Sequence, residues 1–144
     1  MSNKAFNLHK SDRKLAVLID PDKHTEFDLI DFSKKIDQIE PDFILIGGSL
    51  IYRSKISASA KLLQTLSNKP LVLFPGHFTQ LTDHVDAVML LSLISGRNAD
   101  LLIGQHVLAA PKLKSMNADI ISTGYMLIDG GKPTSVSYMS NSQP

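Results

Sequence analysis

The stretch Leu15-Ala16-Val17-Leu18-Ile19-Asp20-Pro21-Asp22-Lys23 decides how the chain is read. Its aliphatic residues run unbroken, as in a parallel strand buried on both faces. Pro21 has no N–H to give to a sheet ladder, so the strand stops before it. Asp20, Asp22 and Lys23 then lie at the carboxyl end of that strand, where open α/β sheets and β/α barrels hold their ligands. Two neighbouring carboxylates repel unless a cation holds them, and Mg²⁺ with a phosphorylated ligand is a common arrangement.

The pattern recurs outward from this stretch. After Lys23, Thr25 or His24 opens a helix with Glu26 and Asp28 in its first turn, where the helix dipole favours acids. Leu29, Phe32, Ile36 and Ile39 give it one apolar face, and Pro41 ends it. A second strand, Phe43-Ile44-Leu45-Ile46, runs into Gly47-Gly48-Ser49. Glycines placed there let a ligand approach the backbone, and their amides can cradle phosphate. A helix over 55–67 carries Ile56, Ala60 and Leu63 on one face. A third strand, Leu71-Val72-Leu73-Phe74, closes on Pro75-Gly76 and precedes a short helix over 79–84. A fourth, Ala87-Val88-Met89-Leu90-Leu91, leads to Ser95-Gly96-Arg97-Asn98 and a helix over 99–114. A fifth starts at Asp119 and continues through Gly124 to Ile128. There Asp129-Gly130-Gly131 reads as a hairpin turn, with 134–138 as the returning strand.

Ile44 lies 27 residues after Val17, and Leu71 another 27 after Ile44, about the length of one βα unit. Chemistry-bearing clusters at the same end of successive strands are the pattern of a β/α barrel. A closed barrel needs eight strands and typically about 250 residues, whereas five strands are readable in these 144. The expected fold is α/β of the (β/α)8 TIM-barrel type, an incomplete barrel covering the first five strands. Residues 1–144 form one domain with no internal linker.

Composition limits the functions on offer. The chain is 43% hydrophobic and 20% charged with a net charge of +1, so no charge surplus argues for nucleic acid or a membrane surface. The absence of cysteine excludes disulfides and thiolate chemistry and suits a cytoplasmic protein. Residues 1–14 are polar and do not read as a signal peptide, and no apolar run reaches the ~20 residues of a membrane span.

With these pieces assembled, the sequence resembles the geranylgeranylglyceryl phosphate synthase family, closely its bacterial branch. The resemblance rests on LIDPDK (18–23), ILIGGS (44–49), LFPG (73–76), LLSLISGRN (90–98), DLLIGQHV (100–107) and TGYMLIDGG (123–131), in order along nearly the whole chain. It implies a β/α barrel and a Mg²⁺-dependent enzyme of ether lipid biosynthesis. Such an enzyme joins a polyprenyl diphosphate to sn-glycerol 1-phosphate and releases diphosphate. Carried over by motif, Asp20 is a metal ligand and Ser49 its partner on the second strand. Lys23, Gly47, Gly48, Ser49, Arg97, Asn98 and Tyr125 form the substrate-binding set. The resemblance further implies a homo-oligomer and peripheral membrane contact through the lipid product. Family members continue through a Tyr-Leu-Glu-Ala-Gly-Ser-Gly motif and two glycine-rich strands, so the glycerol phosphate site and the catalytic carboxylate are expected beyond Pro144. Smaller departures are His77 for Asn, Ala99 for Pro and Ser122 for Pro.

Plainer readings stand beside these. Asp-Pro-Asp alone marks a turn and a solvated helix start, and Asp22 can cap that helix. Lys23 can be a surface lysine, Gly47 and Gly48 a tight turn, and Arg97 and Asn98 loop-shaping residues. Phe74 and Tyr125 read as core residues, and His106 as a packed or surface histidine. Five histidines without a His-Glu-x-x-His pattern argue against zinc. Two other functional classes compete with the transferase. A flavodoxin-like signalling receiver would need an acceptor aspartate after strand three, where Phe74-Pro75-Gly76 stands instead. The other is a non-catalytic phosphate-binding fragment.

Overall fold

The computed structural model describes residues 13–48, 55–128 and 130–142. Five strands, β1 (Ala16–Ile19), β2 (Phe43–Ile46), β3 (Leu71–Leu73), β4 (Ala87–Leu93) and β5 (Asp119–Tyr125), form one sheet. Every pairing is parallel and the order is β1-β2-β3-β4-β5. This sequential order is that of a barrel wall. A flavodoxin-like sheet would carry the order 2-1-3-4-5, so the receiver architecture is ruled out.

Helices α1 (Glu26–Ile39), α2 (Ile56–Leu66) and α3 (Gln105–Ser115) lie in three of the four crossovers, and the one from β3 to β4 holds a 3-10 turn. Thr25 caps α1: its side chain accepts the Asp28 N–H while the Asp28 carboxylate accepts the Thr25 N–H at 2.7 Å. The cap falls on Thr25, so Asp22 does not serve it. Glu40 closes the helix in a left-handed conformation (φ 50°) immediately before Pro41. All three helices pack on one sheet face. Ile19, Ile44, Ile46, Leu71, Leu73 and Val88 meet Leu29, Ile36, Ile56, Leu63 and Leu113 there in one buried cluster. The other face presents a separate layer of Phe43, Val72 and Ala87, flanked by Ala16, Leu45, Met89 and Ile121. No helical residue joins that second layer, which corresponds to the interior of a barrel. Among the described residues β1 and β5 each have a single neighbour. Leu18 and Ile120 are correspondingly half exposed.

The chain after β5 departs from the sequence reading. β5 ends at Tyr125, opposite Leu93, the last residue of β4. Beyond it the Leu127 N–H turns to the Ser95 hydroxyl at 2.7 Å. The expected returning strand over 134–138 is instead a short helix, α4 (Ser135–Ser140). Ser-Val-Ser-Tyr has the alternation of a strand, but Thr134 and Ser137 form a reciprocal capping box and Asn141 ends the helix at φ 50°. Asp129, the first residue of the expected turn, lies outside the described residues. The short helix expected over 79–84 is a 3-10 turn at Phe78–Gln80, stopped by the extended backbone of Leu81. The helix expected from residue 99 opens with a π turn at Asp100–Gly104 before α3.

Acids clamp the amino ends of the strands. Asp42, just before β2, accepts the Leu15 N–H at 2.7 Å and the Lys14 ammonium at 2.9 Å. Asp86, just before β4, accepts the Leu71 N–H at 2.8 Å. The Leu15 amide, then the Lys14 ammonium, hold the Asp42 carboxyl below its ordinary range. A carboxylate with a depressed folded-state pKa stabilises the fold fully above its unfolded pKa, about 3.9, and loses that contribution as pH falls through the lower folded value. Asp42→Asn is therefore expected to be less stable than wild type by a constant margin from pH 7 to about 5, with the margin shrinking below about pH 4. Urea unfolding at pH 7, 5 and 3 checks this, and a margin unchanged at pH 3 would refute it.

Candidate functional site

Parallel strands with crossovers of one hand bring every carboxyl end to the same edge of the sheet. Asp20 stands one residue beyond β1. The chain turns tightly there: the Lys23 N–H donates to the Asp20 carbonyl at 3.1 Å and the Asp22 N–H to Asp20 Oδ1 at 3.2 Å. Lys23 Nζ lies 3.3 Å from Asp20 Oδ2. Their exposures differ, 22% for the Asp20 side chain and 77% for Lys23. The carboxylate is thus held in the sheet edge while the ammonium sits in water. An exposed pair of this kind contributes about 0–1 kcal/mol, so Lys23 can leave it for an anionic ligand at little cost.

Gly47 and Gly48 follow β2 beside this turn. Gly47 has φ 153°, and a Cβ there would collide with the Phe74 carbonyl oxygen. The backbones after β2 and β3 therefore meet only because residue 47 has no side chain. At Gly48 a Cβ would stand 3.1 Å from Asp20 Oδ1 and 3.2 Å from Oδ2. The absent side chain keeps open the space in front of the Asp20 carboxylate. Ser49 lies outside the described residues.

Two glutamines organise the loop after β3. Gln80, buried, accepts the Gly76 N–H at 2.9 Å and donates to the Gly48 carbonyl at 3.4 Å. Gln105, at the start of α3, accepts the Phe78 N–H at 2.9 Å and donates to Asp100 at 2.7 Å. His77 caps the 3-10 turn, its Nδ1 accepting the Thr79 N–H at 3.3 Å.

The loop after β4 is tied to α4. The Arg97 and Asn98 N–H groups donate to the Ser140 carbonyl at 3.1 and 3.2 Å, and the Asn98 carboxamide donates to the Met139 carbonyl at 2.7 Å. Asn98 also accepts the Asp100 N–H at 3.1 Å, which opens the π turn. Its side chain shapes this loop, and the Arg97 side chain is exposed. Beneath α4 lies an apolar cavity of about 120 Å³ that Gly48 helps to line. Phe74, Leu93, Leu101, Leu113, Tyr125 and Met139 are among its walls. The Phe74 and Tyr125 rings meet edge to face at 6.0 Å. His106 reaches this cavity with its Nε2 2.7 Å from the Leu91 carbonyl.

Of the expected site residues, Asp20, Lys23 and Gly48 come together, Gly47 supports them, and Tyr125 lines the adjoining cavity. Arg97 and Asn98 lie farther along the same edge, bordering an open groove that also holds Lys132. Gln80 and Gln105 escaped sequence reasoning. A glutamine in a polar loop carries no motif, and its role here exists only once two strand ends are side by side.

The PcrB family matches residues 9–143. The chain belongs to the PcrB family. Its whole length is 46% identical to part of a geranylgeranylglyceryl phosphate synthase of Chitinophaga pinensis, covering 59% of that protein. For the same enzyme of Spirosoma linguale the identity is 44%, over 92% of this chain and 53% of the relative. The chain thus spans little more than half the length of these relatives. A crystal structure of (S)-3-O-geranylgeranylglyceryl phosphate synthase from Thermoplasma acidophilum in complex with substrate sn-glycerol-1-phosphate superposes with a TM-score of 0.83. That match has 22% identity and covers 92% of this chain and 53% of the other. At that identity the likeness shows the fold, a TIM barrel of which the described residues of this PcrB chain supply five strands.

The two glycines predict different outcomes. Gly47→Ala must push the β2 and β3 backbones apart and is expected to lower stability by about 2–3 kcal/mol. Gly48→Ala meets only the flexible Asp20 carboxylate and should cost less than about 1 kcal/mol. Denaturant unfolding of both variants measures this; equal losses would be inconsistent with the geometry.

Proposed function

We propose that this PcrB chain carries the diphosphate and prenyl half of a prenyltransferase that joins a polyprenyl diphosphate of the geranylgeranyl type to sn-glycerol 1-phosphate. The observation that carries the reading is the juxtaposition at one sheet edge. A sheltered carboxylate, Asp20, faces a side-chain-free turn at Gly48, and that same glycine is among the residues lining the apolar cavity. A prenyl diphosphate has this shape, a highly charged head on an apolar tail. The names of the 46% and 44% identical relatives support the same reading.

Among the described residues no three His, Cys, Asp or Glu side chains converge. Asp20 offers one hard carboxylate at an open turn. That donor set suits Mg²⁺, which is commonly held by one or two carboxylates with ligand phosphate oxygens and water. Asp20 would hold it, with Ser49 as the partner that the family motif implies. When bound, Mg²⁺ supplies positive charge to the diphosphate oxygens. Lys23 turns its ammonium to the same head group, and the Gly47-Gly48 backbone lets the phosphates approach. The cavity walls hold the allylic tail away from water, so that the glycerol phosphate hydroxyl rather than water meets the reacting carbon.

In the reaction the bond between the allylic carbon and the diphosphate oxygen breaks, and its electron pair leaves with diphosphate. The glycerol phosphate hydroxyl oxygen forms the new carbon–oxygen bond and gives up its proton. The base for that proton and most of the glycerol phosphate site belong, on this reading, to the part of the relatives that the chain does not match. The reading also carries a single-domain chain, a homo-oligomeric assembly, a cytoplasmic location and peripheral contact with the membrane that receives the lipid. Among the described residues no helix is long and apolar enough to cross a membrane.

Transfer of radiolabelled prenyl to sn-glycerol 1-phosphate tests the reading. It is measured with this chain and with a completed barrel, in which the chain continues into the unmatched part of the Chitinophaga relative. Prenyl ether formed by the completed barrel supports the transferase. Diphosphate binding without turnover in either form would favour a non-catalytic phosphate-binding protein.

The two aspartates are expected to separate in that assay. Asp20→Asn should abolish turnover and the Mg²⁺-dependent gain in prenyl diphosphate affinity, whereas Asp22→Asn, exposed and beyond Pro21, should keep most of both. Calorimetry without diphosphate should find Mg²⁺ binding only weakly. Equal loss in two folded variants, or submicromolar Mg²⁺ affinity in the ligand-free protein, would refute the assignment.

A further inference from the structure

We propose that Gln80 is a positioning residue for the diphosphate end of the substrate, tying the turn after β2 to the turn after β3. The proposal rests on the prenyl diphosphate reading of the site and adds to it a residue outside the set expected to touch substrate.

The β2–β3 ladder closes with the bond from the Phe74 N–H to the Ile46 carbonyl at 2.8 Å. Beyond it the two strand ends must support a ligand without further backbone pairing from that ladder. Gln80 makes the next tie. Its Oε1 accepts the Gly76 N–H at 2.9 Å and its Nε2 donates to the Gly48 carbonyl at 3.4 Å. The two partners fix which end of the carboxamide is oxygen, since an amide N–H can only donate and a carbonyl only accept. The residue is 5% exposed, and none of the buried side-chain polar atoms among the described residues lacks a partner.

Gly48 is the residue whose missing side chain leaves room before the Asp20 carboxylate. Its carbonyl oxygen accepts from Gln80, and that bond holds the orientation of the peptide next to that room. Released, the carbonyl could swing its negative end toward the diphosphate. A donor and an acceptor on one side chain of this length are both needed. Glutamate keeps the acceptor and loses the donor, methionine has neither, and asparagine is shorter by a methylene. A site fixed before the ligand arrives binds and orients charge without reorganising its dipoles.

Three substitutions test the proposal, each made in the 144-residue chain and in the completed barrel, so that aggregation of one form leaves the other readable. Calorimetry measures affinity for geranylgeranyl diphosphate with Mg²⁺ and, separately, for the uncharged prenyl alcohol, which shares only the apolar tail. Gln80→Glu and Gln80→Met are expected to weaken diphosphate binding by about tenfold or more while leaving alcohol binding within about twofold. Thr82→Val is the control. Thr82 is equally buried in the same loop and bonds the Ser57 hydroxyl at 3.2 Å, away from both glycines. It is expected to lower the melting temperature without changing the ratio of the two affinities. If Gln80→Glu weakens both ligands equally, or neither, Gln80 is only a structural residue and the proposal falls. If wild type binds the alcohol but gains nothing from the diphosphate, the prenyl diphosphate reading fails first and the proposal with it.

Discussion

Five strands pair in parallel in the order in which the chain makes them, and no hairpin can join parallel neighbours. Each return must cross over, and crossovers of one hand place α1, α2 and α3 on the same face. Two consequences follow without further assumption. The opposite face, with Phe43, Val72 and Ala87, is left to an interior layer that no helical residue joins among the described residues. The carboxyl ends of all five strands come to one edge, so residues far apart in sequence share a site. Asp20, Gly48 and Gly76 are neighbours for this reason alone.

Strand β2 shows what was legible in the sequence. Four apolar residues between Asp42 and Gly47 leave little choice, and the strand spans Phe43–Ile46 as read. The start of α1 was legible to within a residue because Thr25 and Asp28 form a box that signals itself. The same motif, weaker in Thr134 and Ser137, was missed at α4. The Asp129-Gly130-Gly131 turn had implied a returning strand over 134–138, yet β5 stops at Tyr125 and those residues enter α4. Periodicity reports which residues share a face, and a segment of six is too short to tell a strand from a helix turn. What decides α4 is tertiary: the Ser140 carbonyl receives the Arg97 and Asn98 amides, and Gly96 leaves room for it.

The site was legible unevenly for a related reason. Asp20 and the glycines carry their signal locally, a charge or a missing side chain at the end of an apolar run. Gln80 and Gln105 carry theirs only through partners that stand 4 to 32 residues away. Each joins one strand-end loop to another, so each becomes recognisable only after the sheet order is known. Carboxamides suit the task because one group donates and accepts without bringing charge to a buried place.

Strand register explains why the chain looks finished at one edge of each face and open at another. Leu18, Leu45, Val72, Ala87 and Asp119 align across all five strands, and Ala16 pairs with Phe43 one step nearer the amino ends on the same face. In a closed barrel such residues form layers filled from both sides of the wall, with alternate strands contributing to each. Here the wall supplies one side. The layer is deepest at Val72, fully buried in the central strand, and shallowest at Leu18 and Asp119 in the outer two. Burial therefore falls off with distance from β3, not with hydrophobicity. The relatives, nearly twice as long, have the residues to continue both edges. The helix-covered face needs no such addition, since Ile19, Ile46 and Leu73 are fully buried by α1, α2 and their neighbours. The sheet edge that holds Asp20 and Gly48 is thus anchored from its helical side, and its geometry is set by contacts that this chain makes within itself.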